Sequence, residues 1–299
     1  MTAAIDPRAL PYLRRIHAVY PDLSITTASV DGRGQNNDIV RVDGRLIFRF
    51  PRYDGAVSRL QAEVALLAVV RRHVSLSVPV PLYTSFQTGA GNAFAGYAIV
   101  PGQPLQRETI AAIEAEAEPL AARLADQIKL FLRQLHAVPL DPALARTVPP
   151  DRGRAGLLNL YSRIRATLFP LMRPDARREV ADHFARFFAV GERTAAYVPT
   201  LVHHDFGPGN ILYDAERCAI SGVIDFGEAG LGDPAYDLAG LLAGYGERFV
   251  RRVLHDDPGA SAVLARARFY AGTFALEEAL FGVEHGDPRA LERGLAAYR

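Results

Sequence analysis

Lysine is nearly absent from this 299-residue chain: Lys129, in QIKLFL, is the one lysine among 34 basic residues. A P-loop needs Gly-Lys-Ser or Gly-Lys-Thr after its glycines, so that way of holding phosphate is excluded. Cysteine is equally scarce. Cys218 stands alone and can form neither an internal disulfide nor a cysteine-based zinc site. No apolar run is long enough to span a bilayer, and the opening MTAAIDPRALPYLRRIH lacks the apolar core of a signal peptide. We therefore expect a cytoplasmic, reduced protein. Charge of one sign is lacking too: 34 basic against 33 acidic residues leave a net charge of +1, which gives no reason to expect nucleic acid or an anionic membrane as partner. What is present, 49% hydrophobic and 22% charged residues, suits one large or two modest globular domains with a real core.

Residues 25 to 50, ITTASVDGRGQNNDIVRVDGRLIFRF, alternate β-branched or aromatic runs with Gly and Asp turns and predict three short antiparallel strands. Asp43-Gly44 suits a tight hairpin. The DGRGQNN loop is either a plain connection or a phosphate-approaching one; Gly34 and Asn36 are its candidates for nucleotide contact. SRLQAEVALLAVVRRH has helical spacing, with Leu60, Val64 and Leu67 on one stripe and Glu63 beside it. Glu63 is either solvated at the edge of that stripe or buried, in which case it needs a cation, and Arg49 in LIFRFP is the best placed. VPVPLYTSF and FAGYAIVPG supply two more strands, and from about residue 105 the composition turns helical. ARLADQIKLFLRQLHAV carries Leu124, Ile128, Phe131, Leu132 and Leu135 at core spacing, and His136 reads as a capping or packing residue.

The chemistry lies between 201 and 240. TLVHHD, NILYD and AISGVID read as three strands, the last ending at Asp225. Pairing the second with the third brings Asn210 to Asp225, and an amide oxygen with a carboxylate is a hard donor set of the kind Mg²⁺ takes when nucleotide phosphates complete its shell. Asp205, on the preceding loop, can then receive a proton from a hydroxyl nucleophile. His203, Asp205, Asn210 and Asp225-Phe226-Gly227 follow the His-x-Asp-x4-Asn and Asp-Phe-Gly order of protein kinases, so phosphoryl transfer is the expected reaction. A zinc site at His203 and His204 is disfavoured because alternate strand residues face opposite ways, and no Gly-x-Ser-x-Gly elbow marks a serine hydrolase.

GRGQNNDIVRVDGRLIFRFPR, GYAIVPGQPL, HHDFGPGN, GVIDFGEAGLGDPAYDLAGLL and EEALFGVEHGD together resemble the aminoglycoside phosphotransferases, closest to their 2''-phosphotransferase branch. The resemblance implies an α+β, two-lobed, protein-kinase-like fold: a small antiparallel β N-lobe with one main helix (1–101, nucleotide-binding) and a larger, mostly helical C-lobe (102–299, catalytic and acceptor-binding). It implies ATP or GTP as co-substrate against the backbone of Ile99, Val100 and Gly102, with Arg49 and Glu63 at the phosphates. Asp205 becomes the base, and Asn210 and Asp225 the Mg²⁺ ligands. His203 and Asp237 support the loop, and Glu277, Glu278 and Glu284 receive a polycationic small-molecule acceptor. A macrolide or a small hydroxylated metabolite is the alternative acceptor, and a nucleotide-binding pseudokinase the alternative role.

Two departures from that family stand out. Its third strand usually carries lysine where this chain has Arg49, which keeps the charge but is bulkier and differently shaped. Many 2''-phosphotransferases carry histidine where this chain has Asn210. Position 204 is His204 rather than the arginine of regulated protein kinases, which argues against control by loop phosphorylation.

Overall fold

The alternation of Val40, Val42, Phe48 and Phe50 is resolved as one buried sheet face in the computed structural model, which describes residues 5–31, 36–86, 92–189 and 197–299. Along the chain, helix α1 (Leu10–Val19) precedes strands β1 (Ala28–Asp31), β2 (Asn37–Val42) and β3 (Leu46–Pro51). Helix α2 (Asp54–Val70) leads to β4 (Pro81–Ser85), β5 (Phe94–Ala98) and the short β6 (Gln103–Pro104). Helices α3 (Arg107–Glu116), α4 (Glu118–His136), α5 (Pro142–Ala145), α6 (Gly153–Thr167) and α7 (Pro174–Ala189) follow. Then come β7 (Thr200–Val202), β8 (Ile211–Asp214), β9 (Ala219–Val223) and β10 (Gly230–Gly232). The chain closes with α8 (Ala235–Tyr245), α9 (Glu247–Val253), α10 (Ala260–Ala271), α11 (Phe274–Glu284) and α12 (Pro288–Leu295).

Two compact units form. The first comprises residues 1–105, 138–148 and 210–229; the second comprises 106–137, 149–209 and 230–299. The mixed α+β fold with an antiparallel N-terminal sheet is the one expected.

In the first unit the strands order as β1-β2-β3-β5-β4, antiparallel throughout, and β6-β8-β9 form a second small sheet. The hairpin at Asp43-Gly44 is as tight as its residues predict: both have positive φ, and the Arg45 amide donates to the Val42 carbonyl at 3.1 Å. Asp43 then accepts from the Thr26 and Thr27 amides, which fastens the turn to the entry of β1. Phe48, Phe50 and Phe94 fill the sheet's buried face, joined by Tyr12, Tyr20 and Tyr83. Burying each such aromatic side chain stabilises the unit by about 1.5–3 kcal/mol. On α2 the buried stripe is rotated from the expected one: Leu60, Glu63, Leu67 and Val70 are inside, while Val64 is only half-buried.

In the second unit α4 buries Leu124, Ile128, Phe131, Leu132 and Leu135, as its spacing predicts. Phe131 stacks on Phe206, with ring centroids 5.6 Å apart and planes at 9°. The loop after β7 is thus seated on the hydrophobic face of α4. Asp233, buried before α8, accepts from the Arg266 guanidinium at 2.7 and 3.2 Å and from the Tyr270 hydroxyl at 3.1 Å. Among the described residues no helix is long and apolar enough to cross a membrane.

Candidate functional site

The first unit gathers charge around Arg49. The residue lies on β3 opposite Ala95, and its Nη1 donates to both carboxylate oxygens of Glu63, at 2.8 and 3.0 Å. Its Nη2 lies 3.2 Å from Oδ1 of Asp225. Glu63 is 4% exposed, so of its two readings the buried, paired one holds. Burial outweighs the pull of Arg49 and pushes its carboxyl up to about 7. Burial also works against the guanidinium's charge, but Glu63 and Asp225 outweigh that and hold Arg49 protonated.

Asp225 and Asn210 meet through the β8–β9 ladder. Ile211 pairs with Val223, and the Ile224 amide donates to the Asn210 carbonyl at 2.9 Å, which sets the two side chains at neighbouring strand ends. Asp225 has φ of 64°, an uncommon conformation for a residue with a Cβ, and its carboxylate is half exposed. The accessible Asp225 carboxylate is a donor of the kind Mg²⁺ takes, with one or two protein oxygens and the rest of the shell from phosphate and water, and Asn210, whose carbonyl bonds the residue before Asp225, is the other expected ligand.

The chain after β5 is built for close approach. The Ile99 amide donates to Arg45, and the Ser221 hydroxyl donates to the Pro101 carbonyl at 2.6 Å. Gly102 has φ of 122°, and a Cβ there would lie 2.2 Å from the Ser221 hydroxyl, so only glycine suits the position. Val100 and Ile99 are half-buried beside it. Asn36 accepts from the Tyr53 hydroxyl and, through its carbonyl, from the Arg52 amide. Gly34 lies outside the described residues.

In the second unit one carboxylate organises the loop that carries Asp205. Asp237, fully buried on α8, accepts from the His203 amide with Oδ2 at 3.1 Å and from the His204 amide with Oδ1 at 3.0 Å. His136, at the end of α4, lies 2.9 Å from the same Oδ2. Burial opposes the charge on Asp237, yet these contacts outweigh it and hold the carboxyl below the usual aspartate range. His203 is fully buried, and its Nδ1 accepts from the Asp205 amide at 3.3 Å. Asp205 itself is exposed at the loop's tip.

Behind the loop, α8 presents Gly240 and Gly244. A Cβ on Gly240 would lie 2.4 Å from the Phe206 carbonyl oxygen, and one on Gly244 2.5 Å from Cδ of Pro208. The loop therefore rests directly on helix backbone. Their spacing of four residues in an apolar helix was readable in GLLAG, but the sequence does not say what lies against it.

A cavity of about 520 Å³ opens beside this loop. Asp205, His204, Phe206, Pro208, Tyr236, Phe274 and Glu277 contribute to its lining. Of the three glutamates expected to receive the acceptor, Glu277 is in this wall. Glu278 pairs with Arg293 at 2.7 Å, and Glu284 is gripped by Arg163 through contacts of 2.5 to 3.1 Å. The Thr273 hydroxyl donates to Glu277 at 2.6 Å. Burial nevertheless pushes that carboxyl above the usual glutamate range. Tyr236 and Phe274, 5.3 Å apart, form the aromatic part of the wall and carried no signal in the sequence.

Comparison with known proteins agrees with this geometry. The model of the phosphotransferase enzyme family (APH) matches residues 27–277. Viomycin phosphotransferase of Streptomyces vinaceus is 30% identical over 274 residues, covering 89% of this chain and 91% of that protein. The GDP complex of wild-type aminoglycoside 2'-phosphotransferase-IIIa is similar at a TM-score of 0.86 and 27% identity, over 96% of each chain. The GDP and kanamycin complex of APH(2'')-IIIa gives a TM-score of 0.87 at 27% identity, over 96% of this chain and 97% of that one. A macrolide 2'-phosphotransferase type I shares the fold, with a TM-score of 0.75 at 19% identity, over 99% of this chain and 98% of that one.

Proposed function

The chain belongs to the phosphotransferase enzyme family and is a phosphotransferase, and we propose that it moves the γ-phosphate of ATP or GTP onto a hydroxyl of an aminoglycoside or a similarly cationic antibiotic. The observation that carries this reading is Asp205, exposed on a braced loop and lining a cavity whose wall also holds Glu277. A carboxylate there can take the hydroxyl proton of a bound acceptor, and a second can meet an ammonium group. The GDP and kanamycin bound by the similar enzymes support nucleotide and aminoglycoside as the two substrates.

In this reading residues 1–101 form the nucleotide-binding lobe and 102–299 the catalytic and acceptor-binding lobe. Ile99, Val100 and Gly102 present backbone to the purine, Arg49, held by Glu63, faces the phosphates, and Gly34 and Asn36 are the further nucleotide contacts of this reading. Asn210 and Asp225 would hold Mg²⁺, which would neutralise phosphate charge when bound. Asp205 accepts the proton as the acceptor oxygen attacks the γ-phosphorus. The bond from that phosphorus to the β–γ bridging oxygen breaks, and the nucleoside diphosphate leaves. His203 and Asp237 keep Asp205 in place throughout.

A second reading, a bulkier and less charged acceptor such as a macrolide, is favoured by one observation. Phe206, Pro208, Tyr236 and Phe274 make much of the cavity wall apolar, while Glu278 and Glu284 are occupied by arginines. The deciding experiment incubates the purified protein with Mg²⁺, ATP or GTP, and aminoglycosides, viomycin, macrolides and small amino alcohols, and reads each acceptor for the mass of one added phosphate. Transfer to an aminoglycoside or viomycin supports the first reading, and transfer confined to macrolides the second. Transfer to none of them overturns both.

A further inference from the structure

Next to Asp205 the chain carries a second histidine whose position the chemistry above leaves unused. His203 is fully buried and its ring nitrogen accepts from the Asp205 amide. The His204 ring is placed differently. It lines the acceptor cavity together with Asp205, Tyr236, Phe274 and Glu277, and among the described residues neither of its ring nitrogens has a hydrogen-bond partner.

The backbone makes this placement costly. His204 has φ of 66°, in the left-handed region that a residue with a Cβ enters only at a cost relative to glycine. The side chain is not what fixes the turn: its own amide donates to Oδ1 of Asp237, as the preceding amide donates to Oδ2. A glycine would satisfy the same bonds without strain. Strain retained where the fold does not need it points to use of the side chain.

The ring is also seated by its neighbours. It lies against Tyr236, with centroids 5.1 Å apart, and Gly232 leaves it room, since a Cβ there would come within 2.6 Å of Nε2. Burial holds the imidazole below the usual histidine range, with Asp237 acting against that effect and His203 and Arg152 reinforcing it. A neutral imidazole offers one donor and one acceptor, and it does not repel a cationic ligand as imidazolium would.

We propose that His204 is a specificity-determining residue of the phosphotransfer, its imidazole hydrogen-bonding the acceptor beside the hydroxyl that Asp205 deprotonates. The inference rests on the cavity being the acceptor site, as read above. It assigns the cavity three polar contacts of different kind: Asp205 for the reacting hydroxyl, Glu277 for a cationic group, and His204 for a neutral hydroxyl or amine between them.

The test uses His204→Gly and His204→Asn in the full-length enzyme, with the acceptor that wild type phosphorylates best. Glycine suits the left-handed backbone and removes the ring; asparagine tolerates that backbone and keeps a donor and an acceptor. Losing one hydrogen bond should raise the KM for the acceptor in H204G by about 3- to 10-fold. The kcat and the KM for nucleotide should stay near wild type, and H204N should recover most of the loss. An unchanged acceptor KM in H204G overturns the inference, as does a loss confined to kcat or one equally large in H204N. Failure of the acceptor reading shows separately, as a wild-type enzyme that phosphorylates no member of the panel, and it removes this inference with it.

Discussion

The Arg49 guanidinium holds both carboxylate oxygens of Glu63 with a single nitrogen, at 2.8 and 3.0 Å, and leaves the other to meet Asp225. The strand and helix are thereby tied to the residue expected to bind the metal. Because Glu63 is buried, Glu63→Ala leaves the Arg49 cation with only the half-exposed Asp225 as partner and should destabilise the protein by about 2–4 kcal/mol. Urea unfolding measures this, and a loss below about 1 kcal/mol would show that the pair has no structural weight.

Asp205→Asn keeps the shape of the loop and removes the proton acceptor. Turnover should fall by roughly 10²- to 10⁴-fold, the usual contribution of a general base. Nucleotide affinity should hold. Single-turnover transfer followed by mass spectrometry checks the first, and calorimetric titration with GDP the second.

Asp237→Asn should lower both kcat and stability, because an amide nitrogen would face an N–H that now donates to carboxylate. The pH dependence has a definite sign. The folded state holds this carboxyl below its unfolded value, so its contribution is present above the unfolded value and is lost as pH falls through the folded one. Denaturant unfolding over a pH series should therefore show the gap between wild type and D237N narrowing in acid. A gap that widens as pH falls would contradict the hydrogen-bond pattern.

Glu277 should also lose its contribution in acid, here to binding, but at a higher pH than Asp237 does. Its carboxyl is raised by burial, so the anion forms later than in a free glutamate as pH increases. The KM for a cationic acceptor should fall as pH rises just above the usual glutamate range, and that slope should vanish in Glu277→Gln. Steady-state kinetics at several pH values separate the two.

Gly240→Ala tests the bed on which the Asp205 loop lies. The added carbon would meet the Phe206 carbonyl oxygen at 2.4 Å, and overpacking of this kind typically costs about 1–3 kcal/mol. Turnover should drop because the loop must lift. A variant with wild-type kcat and stability would mean that helix and loop can part freely.

Much of this site was legible because its central elements are local in sequence. Asp205, Asn210 and Asp225 fall within one short stretch, and strand pairing between NILYD and AISGV is enough to bring the last two together. Arg49 and Glu63, separated by 14 positions, needed only a strand and the helix after it. What stayed hidden depends on distant partners. His136 reaches Asp237 across 101 positions, and Arg163 claims Glu284 across 121, so no periodicity in either segment announces the contact. The glutamates of α11 looked alike as a run of acids; their separate fates are decided by which arginine the neighbouring helix or loop happens to present.

The exchange of lysine for Arg49 also fixes how this enzyme can be probed. Reagents that acylate an amine find no such amine on β3. The chain's one lysine side chain, Lys129, lies instead on α4, where it donates to the His255 carbonyl. Covalent inhibitors that depend on a β3 amine will bypass this protein, and ones that recognise a guanidinium held by two carboxylates would distinguish it from lysine-bearing kinases.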